Sequence, residues 1–325
     1  MSIIITGGAG FIGTNLLKRF IKSNKKIFIL DNFSNSNKKF LEPFQKNKNL
    51  NIEDCNLADE FKTEEVFNSI RKTIKSPLEI WHFAANSNIQ EGLKNAKIDL
   101  HNTFMTTFNV LEACKKYDIK SFYFASSSAV YGDHGNLLIN ESTGPLIPIS
   151  NYGAMKLASE GYCLSCFESF LDKLRIFRFP NVVGSPATHG VIFDFINKLK
   201  KEPNNLKVLG DGNQSKSYLH VSDLIDAMIH ISADRFNNIE NPIYNLGQKD
   251  NPVSVKWIAE ETIKNISPQA SIIYGNEDRG WIGDVPKFNY DISKAYKTGW
   301  RPKLNSKNAI KQAIHEIKAQ INQYG

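Results

Sequence analysis

A glycine-rich turn close to the N-terminus constrains this chain more than any other feature. Isoleucines at positions 3–5 form the pattern of a buried strand, and Gly7, Gly8, Gly10 and Gly13 follow. The next apolar residues lie at helical spacing, at Phe11, Leu16, Leu17 and Phe20. Gly8, Gly10 and Gly13 match the G-x-G-x-x-G pattern, in which small residues let the backbone and a helix N-terminus approach a pyrophosphate. The stretch therefore predicts a dinucleotide site.

The end of the second predicted strand indicates which dinucleotide binds. That strand runs from Lys26 to Leu30 and ends at Asp31, eighteen residues after Gly13. A carboxylate at this position can accept hydrogen bonds from both ribose hydroxyls and would repel the extra phosphate of NADP. We therefore predict NAD as the cofactor.

Composition excludes several other classes of protein. The 325 residues are 41% hydrophobic and 11% aromatic, which is typical of a globular chain with one large or two modest domains. Because no apolar run could span a bilayer and no basic leader precedes the first strand, we expect a cytoplasmic protein without a membrane partner. The lysines behind the net charge of +7 are scattered, which favours a solvated surface over nucleic-acid binding.

The cysteines and histidines give no pattern of a metal site. Four cysteines are too few for a disulfide scaffold of this size. Cys163 and Cys166 have C-x-x-C spacing, but they lie inside a helical pattern without a second pair. We interpret them as buried helix residues and predict no metal. His82, at the end of the fourth predicted strand, is interpreted as a core histidine.

Strands and helices alternate over the first 179 residues. The further predicted strands are Asn49–Glu53, Glu79–Phe83, Ser121–Ala125 and Leu174–Phe179. The predicted helices are Glu60–Ile74, Asp99–Tyr117 and one that begins at Ser150 or Asn151. This alternation predicts an α/β fold of Rossmann type, a doubly wound parallel sheet.

The pattern loosens beyond Pro180. Predicted helices there are Val191–Lys200, Ser222–Ala233, Ser254–Lys264 and Lys307–Ile321, and short strands are Lys207–Leu209, Ile243–Asn245 and Ser271–Tyr274. We predict a cofactor domain at 1–179, to which about 219–247 returns, and a smaller mixed α/β substrate lobe at 180–325.

Three polar residues combine into a catalytic hypothesis. Tyr152 and Lys156 are four residues apart and share one helix face, and Ser127 lies in the serine-rich end of the fifth strand. A free tyrosine has a pKa of about 10. We expect the neighbouring ammonium, with the positive nicotinamide ring, to lower the pKa of Tyr152. Tyr152 would then remove a proton from a substrate hydroxyl whose oxygen Ser127 binds.

With these motifs the chain resembles the extended short-chain dehydrogenase/reductases that act on nucleotide sugars, and among them the 4-epimerases. In the first part of the chain the resemblance rests on Thr6–Gly13, Leu30–Asn32, His82–Ala85, Ser126–Gly132 and Tyr152–Lys156. In the C-terminal lobe it rests on Asn181–Gly184, Gly210–Gly212, Tyr218–Val221, Arg279 and Gly283–Asp284.

The resemblance, with the polar loop after Asp31 and the small residues after the fourth strand, implies two sets of contacts. The cofactor set is Gly7, Gly10, Phe11, Ile12, Gly13, Asp31, Asn32, Ser34, Asp54, Cys55, Phe83, Ala84, Ala85, Tyr152, Lys156 and Pro180. The nucleotide-sugar set is Ser127, Ser128, Asn181, Val208, Lys216, Tyr218, Arg279, Asp284 and Phe288. The cations Lys216 and Arg279 would clamp the diphosphate.

The implied reaction is C4 epimerisation of UDP-glucose and UDP-galactose through a transient 4-keto sugar, with the hydride held on bound NAD. The implied assembly is a homodimer paired through the helices of Asp99–Tyr117 and Tyr152–Leu171. A large residue at Phe288 favours these substrates over UDP-GlcNAc. Two residues depart from the family pattern: Lys216 replaces an arginine, so a bidentate fork becomes a point charge, and Thr103 replaces an asparagine.

Other reactions stay open on the sequence. A net C4 oxidoreductase (a 4-keto reductase or a C4 dehydrogenase), a UDP-GlcNAc 4-epimerase or a non-catalytic NAD-binding protein would share these motifs, and the nucleotide is not specified. A 4,6-dehydratase is disfavoured, because no acidic residue lies between Ser127 and Tyr131 to drive the elimination of water.

Overall fold

A computed structural model describes residues 1–135, 137–233, 241–276 and 289–324. The chain divides into two compact units. The first unit comprises Met1–Gly132, Gly144–Arg178 and Ser232–Tyr244, and the second comprises Asp133–Thr143, Phe179–Ile231 and Asn245–Gly325. Among the described helices, none has the length and apolar character needed to cross a membrane.

The elements follow in chain order. The strands are β1 (Ser2–Thr6), β2 (Ile27–Asp31), β3 (Leu50–Asp54), β4 (Leu78–His82), β5 (Ser121–Ala125), β6 (Leu138–Ile139), β7 (Lys173–Arg178), β8 (Asn181–Val183), β9 (Asn205–Val208), β10 (Ser215–Lys216), β11 (Tyr218–His220), β12 (Ile243–Asn245), β13 (Val253–Ser254), β14 (Ser271–Tyr274) and β15 (Asn289–Tyr290). The α-helices are α1 (Phe11–Phe20), α2 (Glu60–Thr73), α3 (Ile89–Lys94), α4 (Ala96–Asp99), α5 (Thr106–Lys116), α6 (Asn151–Ser169), α7 (Val191–Lys201), α8 (Val221–Ile231), α9 (Val255–Ile266), α10 (Ser293–Lys297) and α11 (Ser306–Tyr324). Two 3-10 helices cover Lys38–Phe44 and Ser128–Val130, and a π-helical segment covers Leu100–Met105.

A seven-stranded sheet organises the first unit, in the order β12-β7-β5-β4-β1-β2-β3. Six of these strands are joined by parallel ladders, so their carboxyl ends meet at one edge. Every residue of β1, β2 and β4 is buried, as expected for strands covered by helices on both faces. The predicted doubly wound parallel sheet is confirmed, and its carboxyl edge is where ligands bind in such folds.

The core of the first unit lies between this sheet and its helices. Phe122 and Phe124 of β5 pack in one cluster with Phe67 of α2 and Leu111 of α5. The thiols of this cluster are Cys55, Cys114, Cys163 and Cys166, all of them buried and free. The interpretation of the C-x-x-C pair as buried helix residues is therefore confirmed.

The helix predicted at Asp99–Tyr117 is not one continuous α-helix. It consists of α4, the π-helical segment Leu100–Met105 and α5. A π turn accommodates an extra residue, and the carbonyl groups that it displaces need other donors. Thr106 and Thr107 supply them: the Thr106 hydroxyl lies 3.0 Å from the Thr103 carbonyl oxygen, and the Thr107 hydroxyl lies 2.9 Å from the same oxygen.

The second unit is built from two-stranded pairs and helices. β8 pairs with β11 and β9 with β14 in parallel, and β10 pairs antiparallel with β13. α7, α9 and α11 pack with β9 in a second hydrophobic cluster that includes Phe195, Leu206, Ile258 and Ile314.

Two short segments belong to different units from those that the sequence predicts. Residues 133–143 join the second unit, because β6 pairs with β15 and the backbone N–H of Asn245 donates to Glu141 at 2.8 Å. Of the predicted return at about 219–247, residues 219–231 stay in the second unit and only 232–244 lie in the first. Both differences come from pairings between residues far apart in sequence, which local patterns do not contain.

Candidate active site

The turn between β1 and α1 is built by close backbone approach. Gly7 has φ of +65°, and a Cβ there would lie 2.7 Å from the backbone nitrogen of Ala84. A Cβ on Gly13 would lie 2.4 Å from the carbonyl oxygen of Gly7. Gly10 caps α1 without a side-chain hydrogen bond, so the N–H groups of its first turn, at Phe11 and Ile12, can bind an anion. This cradle fits the pyrophosphate of NAD.

Asp31 anchors the loop beside the cradle. Its carboxylate accepts hydrogen bonds from the backbone N–H groups of Ala9 and Phe33 and from the hydroxyl of Ser36, each at 2.9 Å. A carboxylate has about four acceptor positions, so one stays available to a ribose hydroxyl. The next turn is held by Asn32, whose side-chain oxygen accepts from the hydroxyl of Ser34 at 2.8 Å.

The end of β3 borders a cavity in the first unit. Asp54 is mostly exposed and accepts from the Lys38 ammonium at 3.0 Å. The cavity is lined by Phe33, Lys38, Leu41, Gln45, Ile52 and Asp54. Cys55 is buried, and burial raises the pKa of its thiol to about 11, so the group packs rather than reacts.

The end of β4 faces the same glycine turn. The backbone N–H of Phe83 donates to the Thr6 carbonyl at 3.0 Å, and Ala84 packs against Gly7. His82 is buried between the hydroxyls of Thr6 and Thr107, at 2.8 and 3.1 Å, and burial lowers its pKa well below the usual value. Its interpretation as a core histidine is confirmed. Ala85, the residue after Ala84, is partly buried.

Ser127, Tyr152 and Lys156 come together at the end of β5. The side chains of Ser127 and Tyr152 lie close together, and the Ser127 oxygen accepts from the backbone N–H of Ala129 at 3.2 Å. The Lys156 ammonium donates to the Ala125 carbonyl at 2.7 Å and lies 5.9 Å from the centre of the Tyr152 ring. α6 positions both residues because Ser150 caps its first turn, accepting from the N–H of Gly153 at 3.1 Å. Ser128 begins the short 3-10 helix that follows.

The expected lowering of the tyrosine pKa counts on the positive nicotinamide ring as well as on the ammonium, and the protein's own groups shift this pKa upwards. Burial raises the pKa of Tyr152 to about 12, although the hydrogen bond from Ser127 acts in the opposite direction. Burial also lowers the pKa of Lys156 to about 8, although the nearby Cys163 and Glu160 act to raise it. Removal from water opposes charge on both groups.

A buried ion pair behind these residues escaped the sequence analysis. Glu160 accepts from Arg178, with Nε 2.9 Å from one carboxylate oxygen, and it also accepts from the hydroxyl of Ser126. The Arg178 guanidinium covers the ring of Tyr131 at 4.7 Å. Glu160 lies one helical turn beyond Lys156, and Ser126 directly precedes Ser127. The only sequence signal was the spacing of four between Lys156 and Glu160 on one helix.

The second unit brings several predicted substrate residues together. Asn181 and Tyr218 are direct neighbours in the ladder between β8 and β11. One cavity is lined by Pro180, Asn181, Lys216, Ser217, Gln248 and Tyr290. Ser217, Gln248 and Tyr290 were missed by the sequence analysis, because residues far apart in sequence form that lining. Val208 and Tyr218 are buried in the hydrophobic cluster of this unit, so packing occupies most of their surface.

The predicted residues Arg279, Asp284 and Phe288 lie outside the described residues. Within the described ranges, no group of three or more His, Cys, Asp or Glu side chains could hold a metal ion.

Comparison with known proteins identifies the class of this chain. Residues 3–247 match the model of the NAD dependent epimerase/dehydratase family. A Methanocaldococcus jannaschii protein with the proposed name UDP-glucose 4-epimerase is 32% identical over 97% of this chain and 98% of its own. The UDP-glucose 4-epimerase of Lactobacillus helveticus is 26% identical over 93% of this chain and 92% of its own. A crystal structure of a UDP-galactose 4-epimerase superposes with a TM-score of 0.84 at 31% identity, covering 99% of this chain and 100% of the other.

The chain belongs to the NAD-dependent epimerase/dehydratase family. NAD is its cofactor, as the glycine turn and Asp31 predict, and the cradle described above has the small residues that this cofactor requires.

Substitution of Gly13 by alanine tests the cradle. The new Cβ would lie 2.4 Å from the Gly7 carbonyl oxygen, so the turn must move away from the pyrophosphate position. We expect NAD affinity, measured by isothermal titration calorimetry, to fall by about tenfold or more. The matched control is Gly161→Ala on α6, where a Cβ meets nothing within 4 Å and affinity should stay unchanged. Wild-type affinity in the Gly13 variant would contradict this account.

Substitution of Lys156 by methionine tests the burial of its ammonium. In the folded protein the pKa of Lys156 is about 8, below the ordinary 10.5, so the protonated lysine lowers the free energy of unfolding. This penalty disappears as pH rises from the lower to the higher of these two values. From about pH 7 to 9.5, wild type should gain about 2 kcal/mol of unfolding free energy relative to Lys156→Met. Urea unfolding of both NAD-free proteins measures it. A difference independent of pH would show that the lysine titrates normally.

Proposed function

We propose that this protein is a UDP-glucose 4-epimerase, which interconverts UDP-glucose and UDP-galactose with bound NAD. The single observation that supports it most is the grouping of Ser127 and Tyr152 with the Lys156 ammonium, which is one turn further along α6 and 5.9 Å from the centre of the Tyr152 ring. The pair lies at the carboxyl edge of the sheet, as does the glycine cradle, where a family member holds its cofactor. The relatives and the crystal structure named above point to the same reaction.

Tyr152 is the proposed acid and base. Its phenolate would take the proton of the sugar hydroxyl, and the resulting phenol would return a proton to the sugar oxygen. Burial raises the pKa of Tyr152 and so opposes the phenolate. Ser127, which lies beside the phenol, would bind the same substrate oxygen and hold it in place. Lys156 would stabilise the phenolate whenever Tyr152 loses its proton.

The reaction follows from these roles. NAD, when bound, supplies the acceptor for the C4 hydride and gives the same hydride back. Tyr152 removes the proton of the C4 hydroxyl as the sugar becomes a 4-keto sugar, and it returns that proton after the sugar has turned its other face. The chain must therefore hold the nucleotide while it leaves the hexose free to turn.

The cavity of the second unit is the proposed nucleotide-sugar anchor. Its lining includes Asn181 and Lys216, whose amide and ammonium suit a diphosphate. Arg279 is the proposed second cation, and Asp284 and Phe288 are proposed sugar contacts. Val208 and Tyr218 are proposed to border the nucleoside, and Pro180 the cofactor.

A dehydratase would need a further acid and base beside the serine. The segment after Ser127 consists of Ser128, Ala129 and Val130, and Val130 is buried. No carboxylate is available in that segment to remove a proton and protonate a leaving hydroxyl. Epimerisation requires only the tyrosine as acid and base.

Incubation with UDP-glucose and NAD tests the proposal. We expect UDP-galactose to appear in the proton NMR spectrum while absorbance at 340 nm stays constant, because no net redox change occurs. Tyr152→Phe should lose about two to four orders of magnitude in rate. Tyr117→Phe, a partly buried tyrosine at the end of α5, should keep full activity. Stoichiometric change at 340 nm or a dehydrated product would overturn the assignment.

We also propose a homodimer that pairs through α5 and α6. Phe108 of α5 stacks on Tyr162 of α6 with ring centres 5.1 Å apart, and both rings keep exposed surface. Phe104 extends this row of aromatic rings, at 6.3 Å from Phe108. A second copy of the same surface would cover it.

The oligomeric state of the Phe108→Glu variant, measured by light scattering, tests this assembly. A charge in the aromatic row should produce monomers at concentrations where wild type is dimeric, because the carboxylate would be buried without a partner. Phe61→Glu is the matched control, since Phe61 is 84% exposed on α2 and lies apart from the aromatic row. A dimeric Phe108 variant, or a monomeric wild type, would refute the proposal.

We place the enzyme in the cytoplasm. All four cysteines are free and buried, as is usual in compartments that keep thiols reduced.

A further inference from the structure

One cavity of the first unit lies at the end of β3, next to the position of the cofactor ribose. The strands β1, β2 and β3 are neighbours in the sheet, and Asp31 and Asp54 are direct partners in the ladder of β2 and β3. The pyrophosphate cradle follows β1, and Asp31 at the end of β2 faces the ribose. The next position along this edge, at the cavity of about 220 Å³, is therefore left for the base of NAD.

The lining of this cavity combines apolar walls with polar groups. Leu41 is buried, and Phe33 and Ile52 are partly buried, which suits the faces of a flat heterocycle. Lys38 and Asp54 are exposed and offer an ammonium and a carboxylate to the polar edge of such a ring.

Local structure places Lys38 at this cavity. Asn37 caps the 3-10 helix Lys38–Phe44, and its side-chain oxygen accepts from the backbone N–H of Lys39 at 3.0 Å. Side chains three residues apart are eclipsed in a 3-10 helix, so Lys38 and Leu41 lie on the same side of it. Both line the cavity as a result.

Two groups hold the Lys38 ammonium. Its Nζ lies 3.0 Å from Asp54 Oδ2 and 4.3 Å from the centre of the Phe33 ring. Phe33 adopts φ of +56°, which is uncommon for a bulky residue, and its N–H donates to the Asp31 carboxylate at 2.9 Å. Because an ion pair this exposed contributes little to stability, its two members can exchange partners when a ligand binds.

We propose that Lys38 is a specificity residue for the adenine base of NAD and acts with Asp54 as a donor and acceptor pair. Adenine presents an amino group, which donates, beside a ring nitrogen that accepts. Hypoxanthine presents an oxygen beside a ring N–H, which is the reverse pattern. An ammonium only donates and an ionised carboxylate only accepts, so the pair matches adenine and opposes hypoxanthine.

Gln45 is the third polar residue of the lining. Its side-chain amide both donates and accepts, so it gives no preference between the two bases. The preference therefore depends on Lys38 and Asp54. It concerns the binding of the cofactor and is independent of the reaction proposed above.

Comparison of NAD with nicotinamide hypoxanthine dinucleotide tests the inference, because the two molecules differ only in the base. In calorimetry of the NAD-free protein, wild type should bind NAD about tenfold or more tightly. Lys38→Met, which removes the donor, should reduce this preference to about threefold or less. Lys39→Met is the matched control, since this neighbouring lysine is exposed and is not part of the described lining. Equal affinities in wild type, or an undiminished preference in Lys38→Met, would overturn the inference.

The reciprocal variant tests the carboxylate. Asp54→Asn replaces an acceptor by an amide that also donates, so the preference for NAD should narrow here as well. The double variant of Lys38→Met and Asp54→Asn should bind the two dinucleotides about equally. Because each preference is a ratio measured on one protein, a general loss of dinucleotide affinity leaves it unchanged. A preference of wild-type size in the double variant would show that other residues recognise the base and would refute the proposal.

Discussion

The buried pair of Glu160 and Arg178 is the interaction on which the arrangement of the site depends. It joins α6 to β7, and through the hydroxyl of Ser126 it also joins the end of β5. Each charge would be costly in the core without the other, so helix and strands must settle in one register. That register brings Ser127, Tyr152 and Lys156 within reach of one another. The ion pair therefore matters more for the relative positions of α6, β5 and β7 than for the net free energy of unfolding.

The second constraint on the site is the close backbone packing of the glycine turn after β1, where no side chain intervenes. The glycine turn touches both Ala84 and its own first residue, which leaves space at the carboxyl edge of the sheet for a flat, charged ligand. The same edge holds a phenol and an ammonium whose charged forms are both opposed by burial.

Much of this architecture could be predicted because it follows local rules. Isoleucines before glycines specify β1, its turn and α1, and Asp31 specifies NAD. Tyr152 and Lys156 share a face because a helix has 3.6 residues per turn. The interruption of the helix after Asp99 was not predictable in this way. Its π segment has ordinary helical composition, and it is accommodated by hydroxyl groups of Thr106 and Thr107 that look unremarkable in sequence.

The sequence by itself determined the order of strands and helices, the glycine cradle, the cofactor and the placement of Tyr152 and Lys156, the residues proposed to handle protons, on one helix face, since these depend on neighbours along the chain. Only the tertiary structure decided how acidic those residues are. The pKa of Tyr152 rises and that of Lys156 falls because packing removes water from both groups. Burial is a property of the folded chain as a whole, and no local spacing of residues records it.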